Sequence, residues 1–254
     1  MNKLFRLDGK TALITGASGD FGQYFADVLG RAGARVILAS RNPEKLEEKL
    51  NELRKKGINA SALELNVSDA KSVDLAINNL AKENTIIDIL INNAGAIRSG
   101  RFIDESDDDV VSIFNTNVHG AARVARAVAR QMAARRQGVI VNVGSTAGLR
   151  IGGFMSTYGA SKAALIHMTQ TMALELAGRG VRVNALCPGN FETAMHGKLA
   201  SVGFDERIKS RIPMRRLGVV PELEGPLLLL TTDAGSYVNG ACLVVDGGQT
   251  LSWQ

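Results

Sequence analysis

Short apolar or β-branched runs alternate along the chain with longer stretches in which apolar residues recur every three or four positions. Residues 11–14, 35–39, 60–65, 87–91, 138–143, 181–186 and 241–245 read as strands. Helical spacing occupies the intervals at 22–31, 43–56, 69–82, 107–136, 158–178 and 222–231. Strands that are apolar throughout, rather than on alternate positions, are buried on both faces, which is the mark of a parallel sheet covered by helices. The pattern therefore predicts an α/β fold: one Rossmann-like, doubly wound domain over residues 1–254, with a seven-stranded, mostly parallel sheet and helices on both faces. No linker, repeat or low-complexity tract interrupts it. The one long irregular stretch, 189–213, has the length of a functional loop, and about 190–213 reads as a lid.

Composition narrows the partners. Hydrophobic residues make up 45% of the 254 and charged residues 22%, enough for a large core and too apolar for disorder. The net charge of +5 comes from basic residues interleaved with acids, as in Glu44-Lys45-Leu46-Glu47-Glu48-Lys49, the pattern of a solvated helix face. With aromatics at only 5%, no nucleic-acid partner is expected. No apolar run approaches the roughly 18 residues that span a bilayer, and residues 1–6 lack the apolar segment of a signal peptide, so a soluble, cytoplasmic protein is expected. Cys187 and Cys242 each lie in an apolar run and read as reduced packing residues. His119, His167 and His196 lack ligand spacing, and no metal site is expected; His119 reads as helix packing and His196 as a candidate substrate contact in the lid.

Candidate chemistry begins at Thr15-Gly16-Ala17-Ser18-Gly19-Asp20-Phe21-Gly22, which closes the first strand and opens the first helix. Free backbone N–H groups at such a junction favour a pyrophosphate, although glycines spaced 16, 19, 22 also simply make a turn. Asp20 reads as an outward-pointing helix cap, with Gly19 giving the chain its close approach; the rival reading is a cofactor site weakened by repulsion. The second strand ends in Ser40-Arg41 with no acid beside them. An Arg suits a ribose 2′-phosphate where an acid suits the 2′-hydroxyl, so NADP(H) is favoured and NAD(H) is the alternative.

Tyr158 and Lys162 stand four apart, on one face of a helix. The ammonium is expected to lower the phenol from a value near 10, making Tyr158 a proton donor to a carbonyl or acceptor from an alcohol. Ser145 ends the fifth strand thirteen residues earlier, at the carboxyl edge where parallel sheets hold ligands. Asn117 is expected to bend its helix and bind a water linking Lys162 to solvent.

Taken together these motifs resemble the short-chain dehydrogenase/reductase family over roughly residues 7–250. Its TGxxxGxG turn is matched at Thr15, Gly16 and Gly22, with Asp20 in place of the middle glycine and Gly19 one position early. Its Asn, Ser, Tyr and Lys tetrad falls on Asn117, Ser145, Tyr158 and Lys162. Asn92-Asn93-Ala94-Gly95, Pro188-Gly189 with Thr193, and Val245-Asp246-Gly247-Gly248 match further. The resemblance implies an NADP(H)-dependent oxidoreductase that moves hydride between nicotinamide and a carbonyl or secondary alcohol. It places Gly16, Ser18, Gly19, Phe21 and Gly22 at the pyrophosphate, Ser40 and Arg41 at the ribose, and Asn66 and Val67 at the adenine. Asn93, Ala94 and Gly95 fall on the adenosine side, and Tyr158, Lys162, Pro188, Gly189 and Thr193 at the nicotinamide end.

It further implies that Phe154, Met155, Phe191 and Met195 border the pocket as an apolar substrate wall, although anchoring of their loops explains them as well. A homotetramer or homodimer is implied too, with the helical stretch 107–136 and the helix from 158 at the main interface and the Arg123, Arg126 and Arg130 stripe in a surface or interface role. Two alternatives stay open. One is a 3-oxoacyl-carrier-protein reductase, with Arg135, Arg136 and Arg179 meeting an acidic carrier. The other is a cofactor-sensing protein without turnover, against which the complete tetrad weighs.

Overall fold

The computed structural model describes residues 3–193 and 204–251. Seven strands form the main sheet: β1 (Thr11–Thr15), β2 (Arg35–Ser40), β3 (Ala60–Glu64), β4 (Ile89–Asn92), β5 (Gly138–Val143), β6 (Val181–Pro188) and β9 (Cys242–Val245). Their order is β3-β2-β1-β4-β5-β6-β9, and every neighbouring pair is parallel. The sheet is thus fully parallel, where the hydrophobic pattern had allowed an antiparallel edge. The sheet grows one way from β1 to β3 and the other way from β4 onward. This leaves a crevice at the carboxyl ends of β1 and β4, the place where such sheets take ligands.

Helices α1 (Asp20–Arg31), α2 (Glu47–Lys55), α3 (Ala70–Lys82), α4 (Asp107–Phe114), α5 (Ala121–Arg135), α6 (Ser156–Ala177), α7 (Phe204–Arg211) and α8 (Glu224–Thr231) connect these strands. Ile14, Leu38, Ile91 and Val141 meet Phe25, Leu29, Leu50 and Leu227 on one face of the sheet. Leu13, Ile37, Leu90, Ile140 and Val183 meet Val73, Ile77, Val124 and Val128 on the other. Alternate side chains of each strand feed the two cores, which is why the strands carry no polar face. No helix among the described residues is long and apolar enough to cross a membrane.

Two local expectations are corrected. The long helix over 107–136 is interrupted: Asn115–Gly120 is a π-helical turn between α4 and α5. Gly120 lies against Val67, where a Cβ would come within 2.9 Å of its side chain. The Asn117 side chain turns away to Ala96. Arg123 donates to the carbonyls of Val67 and Ser68 and to Asn115 Oδ1, so it braces this turn from within the chain. The irregular stretch 189–213 holds α7 and a short strand β7 (Phe191–Glu192), which pairs in parallel with β8 (Gly218–Val219). Met195 and His196 lie outside the described residues.

A chain of buried polar groups crosses the sheet behind the crevice. Asn92 Nδ2 donates to Ala121 O and to Asn142 Oδ1, at 3.2 and 2.9 Å. Asn142 Nδ2 donates to Thr169 Oγ1, which donates to Leu165 O. These bonds tie α5, β4, β5 and α6 into one block, and buried donors without such partners would each cost about 1–3 kcal/mol.

Candidate active site

The glycine turn is built by steric necessity at two of its three glycines. Gly16 has φ +63°, and a Cβ on it would lie 2.7 Å from Ala94 Cα. A Cβ on Gly22 would lie 2.6 Å from Gly16 O. Gly19 differs: it has an ordinary extended backbone and its Cβ would meet nothing nearer than 3.7 Å. Gly19, rather than Asp20, is the N-cap of α1, and it supplies no side-chain cap. Asp20 is the first helical residue and is exposed, so the expected cap is corrected by one position; its carboxylate sits in the acid-favouring first turn.

Thr15, Asn93 and Ala94 clamp this turn to the end of β4. Thr15 Oγ1 donates to Ile91 O and accepts from the backbone N–H groups of Asn93 and Ala94. Asn93 Nδ2 donates to the carbonyls of Thr15 and Gly16. The side chain of Asn93 is thereby spent on holding the turn. Ser18 is exposed, and its carbonyl accepts from Gln23. Phe21 packs on Phe25 and, edge to face, on Phe191. Phe191 is buried. It therefore anchors a core rather than lining an open pocket.

At the end of β2, Ser40 is buried and its Oγ accepts from Asn42 N, while Arg41 is exposed and has no carboxylate partner among the described residues. Asn66 Oδ1 accepts from Ser68 N, and the buried Val67 packs under Gly120. Gly189 donates its N–H to Val245 O, and a Cβ there would lie 2.7 Å from Asp246 Cβ. Pro188 ends β6, and Thr193 is half-buried just after β7.

The tetrad residues converge on the carboxyl edge of β5. Ser145 caps a short 3₁₀ turn, Thr146–Gly148, with its Oγ accepting from Ala147 N at 3.1 Å. Ser145 also hydrogen-bonds Tyr158. Tyr158 lies in the first turn of α6, and Lys162 Nζ stands 5.8 Å from the centre of its ring. The ammonium is fully enclosed and donates to Val143 O at 2.8 Å. A Cβ on Gly95 would lie 3.5 Å from Asn117 Oδ1 and 3.6 Å from Lys162 Nζ, so this glycine opens the space beside them.

Electrostatics reverse one expectation. Burial pushes Tyr158 above the ordinary 10.0, and its bond with Ser145 offsets only part of that rise. Lys162 does not lower it, because the ammonium is turned onto Val143 O and is itself destabilised by burial. Desolvation carries Lys162 from 10.5 down to about 8. At neutral pH the site therefore holds a neutral phenol and a protonated lysine. Below pH 8 the folded state bears the whole cost of the buried charge, and the cost fades as pH rises toward the unfolded value of 10.5. Lys162→Met is thus expected to raise Tm by roughly a few degrees at about pH 6.5, with the gain shrinking by about pH 9.5. Thermal melts of the two proteins across that range check it; an equal gain at both ends would refute the assignment.

Asn117 is also recast. Its side chain is fully buried, with Nδ2 donating to Ala96 O and Ser161 Oγ and Oδ1 accepting from Ala96 N. It joins the segment after β4 to α6, and its amide donors are not available to a relay water. Ser161 was not anticipated; it accepts from Asn117 and donates to Tyr158 O at 2.7 Å, fixing the turn that bears the phenol. Its only signal in the sequence is its place between Tyr158 and Lys162.

The loop before α6 carries a strained bulky residue. Phe154 has φ +63° and is 62% exposed, and its carbonyl accepts from Gly100 N. Aromatic residues rarely hold that conformation without a surrounding reason. Met155 follows it, half-buried, at the N-cap of α6. Among the described residues no group of three or more His, Cys, Asp or Glu side chains is placed to hold a metal ion.

The sequence profile of the short chain dehydrogenase family matches residues 10–202. The chain belongs to the short-chain dehydrogenase family. Within it, the chain is 39% identical over 254 residues to the oxidoreductase UcpA of Escherichia coli, covering 97% of this chain and 96% of that protein. It is 36% identical over 246 residues to the 3-oxoacyl-[acyl-carrier-protein] reductase FabG of Thermotoga maritima, covering 97% and 100%. A gluconate 5-dehydrogenase from Burkholderia cenocepacia, solved with NADP and tartrate, has a TM-score of 0.94 and 36% identity over 98% of both chains. Two further family structures of similar shape also hold NADP.

Proposed function

We propose that this short-chain dehydrogenase interconverts a carbonyl compound and its secondary alcohol with NADP(H), Tyr158 acting as the acid and base. The observation that carries the reading is the convergence of Ser145, whose hydroxyl lowers Tyr158 against the effect of burial, with Tyr158 and the Lys162 ammonium 5.8 Å from its ring at the carboxyl edge of β5. NADPH, when held at the glycine turn by Gly16, Gly22 and Arg41, would supply the hydride for the carbonyl carbon. Ser145 holds the substrate oxygen against Tyr158, whose phenol donates the proton that the new alkoxide needs. Lys162 adds positive charge beside the phenol, and Asn117 acts through Ser161 to keep the first turn of α6 in place.

The residues present fit the cofactor. Gly16 and Gly22 leave backbone bare at a helix N-terminus, which suits a pyrophosphate. Arg41 offers a guanidinium at the end of β2 with no acid at 39 or 40 to favour a 2′-hydroxyl. NADPH is accordingly expected to bind at least tenfold more tightly than NADH, and Arg41→Ala to erase most of that difference by weakening NADPH alone. Fluorescence titration of both cofactors checks this. Equal weakening of both would mean that Arg41 does not read the phosphate.

A polyhydroxy ketone or keto acid is the first substrate class to test, because gluconate and tartrate are named with the structural relative. The acyl-carrier-protein reading draws support from the FabG relative. The basic face offered for the carrier weighs against it. Arg135 donates to Ile87 O and Asp88, and Arg136 to Gly178 O. Arg135, Arg136 and Arg179 precede β5 and β6, at the amino edge of the sheet and opposite Ser145. Following NADPH consumption over polyhydroxy ketones, keto acids, simple ketones and acetoacetyl thioesters decides among these. Cofactor binding with no turnover on any of them would favour the sensing protein.

A further inference from the structure

Cys187 and Cys242 are the chain's two cysteines, and the fold sets them side by side. Their sulfur atoms are 3.0 Å apart. In the β6–β9 register Cys187 faces Val244 and Cys242 faces Ala185, so both side chains lie on the same surface of the sheet, two positions apart. Both are free thiols packed in an apolar cluster, as expected, and they also touch one another. A covalent S–S bond is about 2.0 Å long, so the sulfurs must approach by about 1 Å, and the two-position offset means that the backbones of β6 and β9 shift with them. Cys187 is enclosed, whereas Cys242 is partly open to solvent. Cys242 is also the more acidic: the hydrogen bond from Cys187 lowers it, while that bond and burial push Cys187 up.

The pair sits directly beneath the catalytic groups. A Cβ on Gly144 would lie 2.5 Å from Cys187 sulfur, and the Ser145 backbone N–H is near enough to it to favour the thiolate. Ile166, on the same helix as Tyr158 and Lys162, covers Ala185, Cys187, Cys242 and Val244. Nothing in the proposed hydride chemistry uses either thiol.

We propose that Cys187 and Cys242 are a peroxide-oxidisable dithiol whose closure to a disulfide switches the catalytic site off. The Cys242 thiolate attacks one oxygen of hydrogen peroxide; the O–O bond breaks, and the departing hydroxide takes a proton to become water. Cys187 then attacks the resulting sulfenic sulfur; the S–O bond breaks, and hydroxide leaves with the Cys187 proton as a second water. Two thiols lose two electrons and two hydrogens, and one peroxide becomes two waters. A small dithiol returns both sulfurs to thiols. Drawing Cys187 toward β9 takes its sulfur away from the Ser145 N–H, in a place where Gly144 leaves no slack, and so displaces the Ser145 hydroxyl from Tyr158.

The loss of turnover rests on the function proposed above, whereas the bond itself does not, so chemistry and activity are read separately. Full-length protein with NADPH-dependent activity is treated with hydrogen peroxide, quenched and denatured. The expected result is a fall from two titratable thiols to none, a mass lower by two hydrogens and a monomer on non-reducing electrophoresis. Activity is expected to drop at least fivefold and to return with dithiothreitol. Cys242→Ser is expected to retain basal activity and to show no dithiothreitol-reversible loss, and Cys242→Ala provides the same test should serine disturb β9. Sulfinic or sulfonic acid at Cys242 with Cys187 still free, a covalent dimer, no thiol loss, or a closed disulfide with unchanged turnover would each overturn the proposal. If no substrate is turned over, the thiol count and mass still decide whether the bond forms.

Discussion

Tyr158→Phe is expected to lower kcat by a factor of ~10²–10⁴, the usual worth of a positioned general acid, while NADPH affinity changes by less than a few-fold. The reasoning is local. Phenylalanine keeps the ring in the first turn of α6 and removes only the oxygen that meets Ser145. Direction matters as well. Because burial holds Tyr158 above its ordinary 10.0, carbonyl reduction uses the form already present at neutral pH and is expected to run flat there. Alcohol oxidation needs the phenolate and is expected to keep climbing as pH rises through the alkaline range. Steady-state rates in both directions, with a cofactor titration on the same variant, check all three statements. Full activity in Tyr158→Phe would end the proposed chemistry.

The second large effect belongs to the glycine turn. Gly16→Ala is expected to weaken NADPH binding at least tenfold, and Gly19→Ala to leave it within about twofold. At Gly16 a side chain must adopt φ +63° and also press on Ala94 backbone 2.7 Å away, atoms held by the Thr15 and Asn93 bonds. Strain of that kind costs about 1–3 kcal/mol, or about five- to 150-fold in binding. At Gly19 the backbone is extended and the space is open. Calorimetric titration of both variants, with circular dichroism to show that each is folded, separates the outcomes. Equal losses at 16 and 19 would contradict this account of the turn.

Much of the fold was legible because burial on both faces forces unbroken apolar strands. Val139–Val143 and the run at 181–186 declare themselves for that reason, and their helices follow from spacing. Strands β7 and β8 did not, since two residues each carry no period and their pairing joins positions far apart in the chain. A bend at Asn117 was legible, but its π-helical form was not: Asn115–Gly120 has helical spacing, and the wider turn is held by residues distant in sequence, Val67, Ser68, Ala96 and Ser161. In the site, residue types at Ser145, Tyr158 and Lys162 pointed to the proposed chemistry. The sign of the Tyr158 shift did not follow from them, because it depends on which carbonyl holds the ammonium and how deeply both groups lie. The proximity of Cys187 to Cys242 is likewise a product of strand order, which places β9 beside β6 although 55 positions separate the two residues.

The π-helical turn has one more effect. By taking an extra residue per revolution, it lets the polypeptide rotate out of phase for a single lap and then resume. Val124, Val128 and Met132 still point at the sheet, yet Asn117 has been dialled round to Ala96 and Ser161. Excising one amino acid here would restore an even winding and force a choice: either the lower spiral keeps its grip on the core or the amide keeps its hold on the reactive corner. That lap lets the apolar face of α5 and the amide of Asn117 be aimed independently of one another.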